Sequence, residues 1–489
     1  MAVVLGGLLT AGIWNLRDPA AGGWRARSAA YPAPRRGTVG SGHRGARWAT
    51  RRDLRPLGVH PDAVPPGRLL LGQLPGPGRR VWAAAELAQS LVVVGPTQSG
   101  KTSSLAVPAI LGWPGPVVAA SVKSDLLRDT RRERQRRGTV WCIDPTASTG
   151  APRATWSPLA DCASWPAACR VAHSLCDAAK GEATTSDGEF WYATAAKLLA
   201  PLLYAAALGG RSMADVVRWV DTQEVAEVAG VLERVGPPEV LEAAAATWCR
   251  DERTRSSVST TAETVLAPFV EEVSRSPGRP AFDPRRLLGG AHTLYLCAPA
   301  HDQRRLRGYF SALTQQVLAH AFTTATRSGP LDPPLLVVID EAAHVAPLPE
   351  LDSLAATCAS HGIQLVTVWQ DLAQVRGRYG ARAPTVLNNH RAKLFLPGIA
   401  DPDTLDYASR LVGDAEVLRP SVTRDPSGRR STTSTAGPRR LLPPEELRCL
   451  RRGDAVLVYG TLPPARLRLR PWWAHGRTGH GRLRTRQAP

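Results

Sequence analysis

The run Gly95-Pro96-Thr97-Gln98-Ser99-Gly100-Lys101-Thr102 has the residue types and spacing needed to wrap a polyphosphate. Its glycines let the backbone turn several N–H groups toward phosphate oxygens, and Ser103 carries the loop into the first turn of a helix. Lys101 supplies a point charge to the β- and γ-phosphates of ATP, and Thr102 offers a hydroxyl to Mg²⁺. The context is right: the apolar run LVVV precedes the loop and SSLAVPAIL follows it. A second acidic element lies far downstream, where LLVVI ends in Asp340-Glu341. Asp340 is suited to hold Mg²⁺, mostly through its water shell, and Glu341 to polarise an attacking water. The segment reads D-E-A-A-H, one residue longer than a helicase DEAH box. A third element, HGIQLVTVWQ, is a β-branched strand ending at Gln370. A polar side chain at that place sits beside the γ-phosphate in RecA-like motors and senses hydrolysis. The chemistry these groups predict is Mg²⁺-dependent ATP hydrolysis.

Such residues must be held at the ends of buried strands. Short apolar runs at 90–94, 117–121, 139–143, 293–297, 335–339, 364–369, 393–396 and 455–459 read as strands, several of them unbroken as in parallel strands covered on both faces. Alternating with helical stretches, they predict an α/β fold: a P-loop NTPase with a doubly wound, mostly parallel sheet. The core is divided into residues 69–159, carrying the phosphate loop, and 276–462, carrying the acidic pair. Between them the Ala-rich residues 160–275 have helical periodicity and predict an inserted all-α domain. Ser186 and Glu189 are spaced as a capping box, and Pro201 predicts a kink in the helix that follows. Residues 421–440 are rich in Gly, Pro, Ser and Thr and read as a mobile loop. Residues 17–68 read as a basic, loosely structured lead-in, and 463–489 as an Arg-rich tail that does not fold by itself. Residues 1–16 are apolar but shorter than the roughly 20 residues of a spanning helix. They read as a membrane stub, an interfacial anchor or a mis-assigned start.

The chain has 489 residues, 43% hydrophobic, enough for a large core. Its net charge of +19 points to a polyanionic partner, although part of the Arg excess reflects GC-rich codon usage. The helix LLRDTRRERQRRG carries an Arg run that suits either nucleic acid or a solvated face. None of the eight cysteines forms a CxxC pair. Cys162, Cys169 and Cys176 recur at heptad spacing and are expected in a helical core instead of a metal site.

Several stretches together resemble the type IV secretion coupling proteins, the TraG/TraD-like conjugal DNA transfer ATPases, in their actinobacterial form. They are GPTQSGKTSSLAVPAIL, VVAASVKSDLLRDT with the later Ile143-Asp144-Pro145 and Trp156 to Leu159, FWYATAAKLLAPLL and DERTRSS. The most specific is DEAAHVAPLPELDSLAATCASHGIQLVTVWQDLAQVRGRYG with Leu387-Asn388-Asn389. The resemblance implies a RecA-like motor domain with an inserted all-α domain, assembling as a homo-hexameric, ATP- and Mg²⁺-dependent ring that binds DNA and hands a relaxase–DNA complex to a secretion channel. It implies association with the cytoplasmic membrane and an ATPase domain in the cytoplasm. Residues 340–410 resemble the segment that recognises relaxosome accessory proteins, a TraM-recognition-like segment. Members usually begin with membrane-spanning helices, of which residues 1–16 are at most a fragment. Several relatives also carry an Arg before the Gln-terminated strand that acts on a neighbour's nucleotide; here Ala359-Ser360-His361 stand there. That role falls to Arg376, Arg378 or Arg391, or is missing. The rival readings are an FtsK/HerA-like DNA translocase and an ATPase-poor, nucleotide-gated docking module.

Overall fold

The computed structural model describes residues 45–60, 63–76, 81–180, 186–275, 281–424, 428 and 430–474. In chain order the strands are β1 (Gly58–Val59), β2 (Leu70–Gln73), β3 (Trp82–Ala84), β4 (Leu91–Val94), β5 (Val117–Ser121), β6 (Val140–Ile143) and β7 (Thr293–Cys297). They continue as β8 (Leu335–Ile339), β9 (Ile363–Trp369), β10 (Ala392–Phe395), β11 (Asp414–Arg424), β12 (Arg430–Arg440), β13 (Asp454–Tyr459) and β14 (Ala465–Arg468). Twelve of them form one sheet in the order β1-β3-β2-β14-β13-β10-β4-β9-β8-β5-β7-β6. From β10 to β6 every pairing is parallel. From β13 outward to β1 every pairing is antiparallel.

The parallel half forms because its strands are apolar on both faces. Every residue of β4, β5, β7, β8 and β9 is buried. Alternation then splits the core into two layers. Val92 and Val94 face one, with Val337, Ile339 and Leu365. Leu91 and Val93 face the other, with Leu336, Val338, Val366 and Val368.

Between β6 and β7 the chain leaves the sheet for a layer of helices: Trp165–Ala179, Ser186–Leu208, Met213–Asp221, Ala226–Val235, Pro238–Trp248 and Glu252–Arg275. Ser186–Leu208 runs through Pro201 as one helix, and its buried Ala195, Ala196, Ala205 and Ala206 give neighbours little steric resistance. Its Gly188–Leu208 stretch is long and apolar enough to cross a bilayer, yet 67% of it is buried among the other helices. Asp161 ties the start of this layer to the core. It accepts from His320 at 2.5 Å, from Gln316, and from Arg285 at 2.7 Å.

Four expectations are corrected. While 425–427 and 429 lie outside what is described, residues 421–424 and 430–440 lie on β11 and β12, whose ladder runs unbroken from Asp414↔Arg440 to Arg424↔Arg430. They lack an apolar face, so they read as loop. The core does not end at residue 462, because β14 pairs with β13 and buries Ala465, Leu467 and Leu469. The described part of the lead-in is ordered: Leu54 and Leu57 are buried and β1 joins the sheet edge. Cys162 is buried but lies outside the helix Trp165–Ala179 that carries Cys169 and Cys176; all eight cysteines are free. Residues 1–16 and the Ser186 side chain lie outside what is described.

The Arg run on the helix Asp125–Gln135 serves the protein itself. Arg128 pairs with Asp129, while Arg136 and Arg137 pair with Glu133. Arg134 is 0% exposed. Its guanidinium donates to Trp113 O at 2.6 Å, Gly115 O at 2.8 Å, Ala291 O at 3.1 Å and Thr293 Oγ1 at 2.7 Å. It therefore fixes the entries to β5 and β7 together. Burial pulls its pKa down to about 10, so it remains charged at neutral pH. Arg134→Met takes the donor from Gly115 O, Ala291 O and Thr293 Oγ1, while Trp113 O keeps a bond from Arg137 at 3.1 Å, and we expect it to lower the unfolding free energy by about 3 kcal/mol or more. A urea midpoint within error of wild type would contradict this.

Candidate nucleotide site

The phosphate loop leaves β4 at Gly95, whose N–H donates to Trp369 O at 3.0 Å, so the loop starts against the end of β9. A Cβ on Gly95 would stand 2.7 Å from Leu396 Cβ and 2.9 Å from Ser99 Oγ, and Gly100 has φ +94°. Both positions require glycine. Gln98 adopts φ +63° without being glycine, a strained conformation of the kind that concentrates in binding loops. Ser99 Oγ donates to Pro96 O at 2.8 Å and closes the turn. Thr102–Ala106 continues as a π-type turn, followed by the helix Val107–Gly112.

Two charged side chains are buried here. Lys101 is 6% exposed and its Nζ donates to Gly95 O at 2.7 Å. Burial lowers the pKa of its ammonium, opposed by Asp340, Glu341 and Asp371, while Lys123 adds to the lowering. Asp340 follows β8 and its N–H donates to Ala120 O at 2.9 Å, at the end of β5. Thr102 Oγ1 donates to Asp340 Oδ2 at 2.8 Å, joining loop and acid across the intervening β9. Asp340 Oδ1 is buried with no hydrogen-bond partner among the described residues. Burial pushes the Asp340 carboxyl up to about 6, against the pull of Thr102 and Lys101.

Glu341, half-buried, sits at φ +61°, again left-handed without being glycine. The next turn is built on its carbonyl, which accepts from His344 N at 2.9 Å. Gln370 is placed at the end of β9, the strand beside β8, and its N–H donates to Gln374 Oε1 at 3.0 Å. Asp371 caps the helix Leu372–Tyr379 by accepting from Gln374 N at 3.0 Å. Thus the structure gathers residues 95–103, Asp340, Glu341 and Gln370 at one edge of the sheet.

The three arginines considered for a neighbour's site are engaged within this chain. Arg376 pairs with Asp403 and Arg378 donates to Lys180 O at 3.2 Å. Arg391 stands at the other end of the strands, where β10 begins beside Leu91; it bonds Glu86 at 3.0 Å and covers the Tyr459 ring. Sequence reading gave no role to Lys123, Asp125 and Asp371, whose charges act on Lys101 or Asp340. One signal marks them: each lies just beyond the carboxyl end of a central parallel strand, where α/β sheets place their ligands.

The donor set fits a hard cation. A threonine hydroxyl and a carboxylate with one partnerless oxygen are oxygen ligands, and Mg²⁺ commonly takes one or two such groups with substrate phosphates. Among the described residues no cluster of three or more His, Cys, Asp or Glu builds a protein-only metal cage.

A glycine-bound phosphate loop after a central parallel strand, with its acidic partner two strands away, defines a P-loop NTPase of the RecA-like type. The chain belongs to the type IV secretory system conjugative DNA transfer family, whose sequence model matches residues 65–482. It is 23% identical over 467 residues to the conjugal transfer protein TraG of Escherichia coli, covering 84% of this chain and 71% of that protein. It is 23% identical over 472 residues to VirD4 of Agrobacterium fabrum, covering 87% of this chain and 65% of that protein. Its fold is similar to that of the bacterial conjugative coupling protein TrwBdeltaN70 in a trigonal form with sulphate. There the TM-score is 0.66 at 21% identity, over 90% of this chain and 96% of the other. The plasmid coupling protein TrwB in complex with ADP and Mg²⁺ gives a TM-score of 0.61 at 21% identity, over 84% and 96%.

The Asp340 carboxyl has a pH consequence. Its folded pKa of about 6 exceeds the ordinary 3.8, so the folded state holds this proton more tightly between those values. Stability from that proton is fully present below about 3.8 and is lost as pH rises through about 6. At pH 7.5 the buried charge costs on the order of 2–3 kcal/mol in the ligand-free protein. Asp340→Asn is therefore expected to raise the ligand-free melting temperature at pH 7.5 and to abolish the further rise on adding Mg²⁺ with a non-hydrolysable ATP analogue. Calorimetry with and without that ligand checks both parts; a variant that melts below wild type without ligand would refute the assignment.

Proposed function

We propose that this chain is the ATP-hydrolysing coupling protein of a conjugative type IV secretion system. It binds DNA, or a relaxase–DNA complex, and drives it toward a membrane channel. The observation that carries the ATPase half is the hydrogen bond from half-buried Thr102 to buried Asp340, whose other carboxylate oxygen has no partner among the described residues, beside buried Lys101. Family membership over residues 65–482 supports the transfer half.

In this reading residues 95–103 cradle the phosphates with backbone N–H groups, and Lys101 balances charge on the β- and γ-phosphates. Thr102 and Asp340 would hold Mg²⁺, which supplies Lewis-acid neutralisation of the phosphate oxygens when bound. Glu341 orients a water toward the γ-phosphate and accepts its proton, and Gln370 registers whether that phosphate is present. The intact set argues against an ATPase-poor docking module. The homo-hexameric ring, the contact of residues 340–410 with a relaxosome accessory protein, and docking at the cytoplasmic membrane belong to the same proposal. The division of the core into two parts around an all-α domain at residues 160–275 does too.

Two measurements test it. Lys101→Ala is expected to retain the wild-type circular dichroism and lose ATP turnover. Glu341→Gln is expected to keep nucleotide affinity while turning over at least about a hundredfold more slowly. Wild-type turnover in either variant removes that residue from its role. Arg376 and Arg378 lie on the helix that follows β9, so a charge lent across a subunit interface would come from this region or be absent. Specific ATPase activity is accordingly expected to climb with protein concentration or on adding DNA, because a trans-acting arginine contributes about a thousandfold or more. A rate per chain that stays constant over a wide concentration range would mean that each subunit works alone.

A further inference from the structure

The β11–β12 hairpin has no counterpart in the site described so far. Its eleven-residue strands span roughly 35 Å, and it is a separate two-stranded sheet. Its root is secured: Arg440 reaches Asp414 and Asp406, and Ala46 N donates to Asp414 O at 2.7 Å. Beyond the root the ribbon is solvent-exposed on both faces, with Leu418 56% and Val422 53% exposed. A lone two-stranded ribbon is marginally stable in water, so this one is not held by a core of its own.

The register places Arg419, Ser421, Ser431, Thr433 and Thr435 on one face, and Leu418, Val422, Arg424, Arg430, Thr432 and Ser434 on the other. Past Glu416 neither strand contains an Asp or Glu. At the tip Arg424 stands directly opposite Arg430. Like charges so placed destabilise a strand pair unless an anion lies between them. Pro420 and Pro438 are tolerated in such strands only where an N–H would face solvent. Each therefore removes a donor from an open edge, which disfavours capture of a further strand.

We infer that this hairpin is an arm that grips the backbone of duplex DNA, with Arg419 and the hydroxyls of its face on one phosphate strand and Arg424 and Arg430, from the other face, on the strand across the groove. The inference rests on the DNA-handling reading above and adds the surface that makes contact. A two-stranded ribbon is the right width for the major groove, about 12 Å across, and arginine with serine and threonine is the usual phosphate-contacting set. Neither strand carries an Asn or Gln to read adenine, and phosphate contacts hold no sequence information, so the grip is indifferent to sequence. The exposed aliphatic pair Leu418 and Val422 shares the face of Arg424 and Arg430, which makes a lipid surface the competing occupant.

The test uses the full chain and labelled duplexes of unrelated sequence across a salt series. Arg419→Gln/Arg424→Gln/Arg430→Gln is expected to weaken duplex binding and to lower the slope of log affinity against log salt by about 2 to 3, near 0.9 per lost phosphate contact. Leu418→Ser/Val422→Ser should bind duplex as wild type does, and both variants should keep the unstimulated ATPase rate. An unchanged slope in the triple variant, with wild-type DNA binding intact, overturns the arm and leaves the DNA-handling reading standing. Loss of binding to anionic phosphatidylglycerol vesicles with the duplex slope unchanged also overturns it, in favour of a membrane contact. Wild-type protein that binds no DNA at any salt overturns both.

Discussion

A carboxylate held out of water with one oxygen unbonded is among the most expensive groups a fold can carry, and Asp340 is such a group. Its position depends on a hydrogen bond from its own N–H to Ala120 O and on the hydroxyl of Thr102, from a loop far away in sequence. The first depends on β5 pairing with β8, Ala120 beside Ile339, and the second on β9 lying between β4 and β8 in register, Val93 beside Val368 and Val338 beside Val366. A slip of one residue in either pairing would turn every side chain of that strand to the other layer. The continuous burial of these strands is what makes such a slip costly, so apolar packing sustains the polar site.

The polar scaffold works by the same logic at a distance. Arg134 replaces water for carbonyls at the entries to β5 and β7, and Asp161 collects His320, Gln316 and Arg285 where the helical layer leaves the core. A fully bonded buried ion is tolerated because each lone pair or donor is used. Asp340 departs from that rule on one oxygen, in the place where a ligand is expected.

Much of this was legible in the sequence. The phosphate loop, the acidic pair and the parallel strands are local patterns: glycine spacing, and apolar runs bounded by polar ends. Strands 117–121, 293–297 and 335–339 coincide with β5, β7 and β8 to the residue. The antiparallel extension was not legible, because β2 is four residues with Gly72 at φ +148° and β3 is three, too short to show alternation. The β11–β12 ribbon escaped for the opposite reason, having no buried face to imprint a period. Arg134 could not be singled out from its run, since which arginine turns inward is fixed by the packing of the helix on Trp113 and Thr293. Lys123 and Asp371 carry no motif of their own and gain meaning from the strands they follow.

The order of the sheet also shapes how the chain is made. Leu91 begins the strand that bears the phosphate loop, yet its two partners start at Ile363 and Ala392, after the whole helical layer has been synthesised. At about 5–20 residues per second, the ribosome leaves that strand without neighbours for roughly 15 to 60 s. Through that interval LVVV is an unpaired hydrophobic segment, the kind of stretch that chaperones shield and that aggregates when they do not. The nucleotide loop therefore belongs to the last part of the sheet to close, and a truncated chain ending before β9 would lack both strands that flank it.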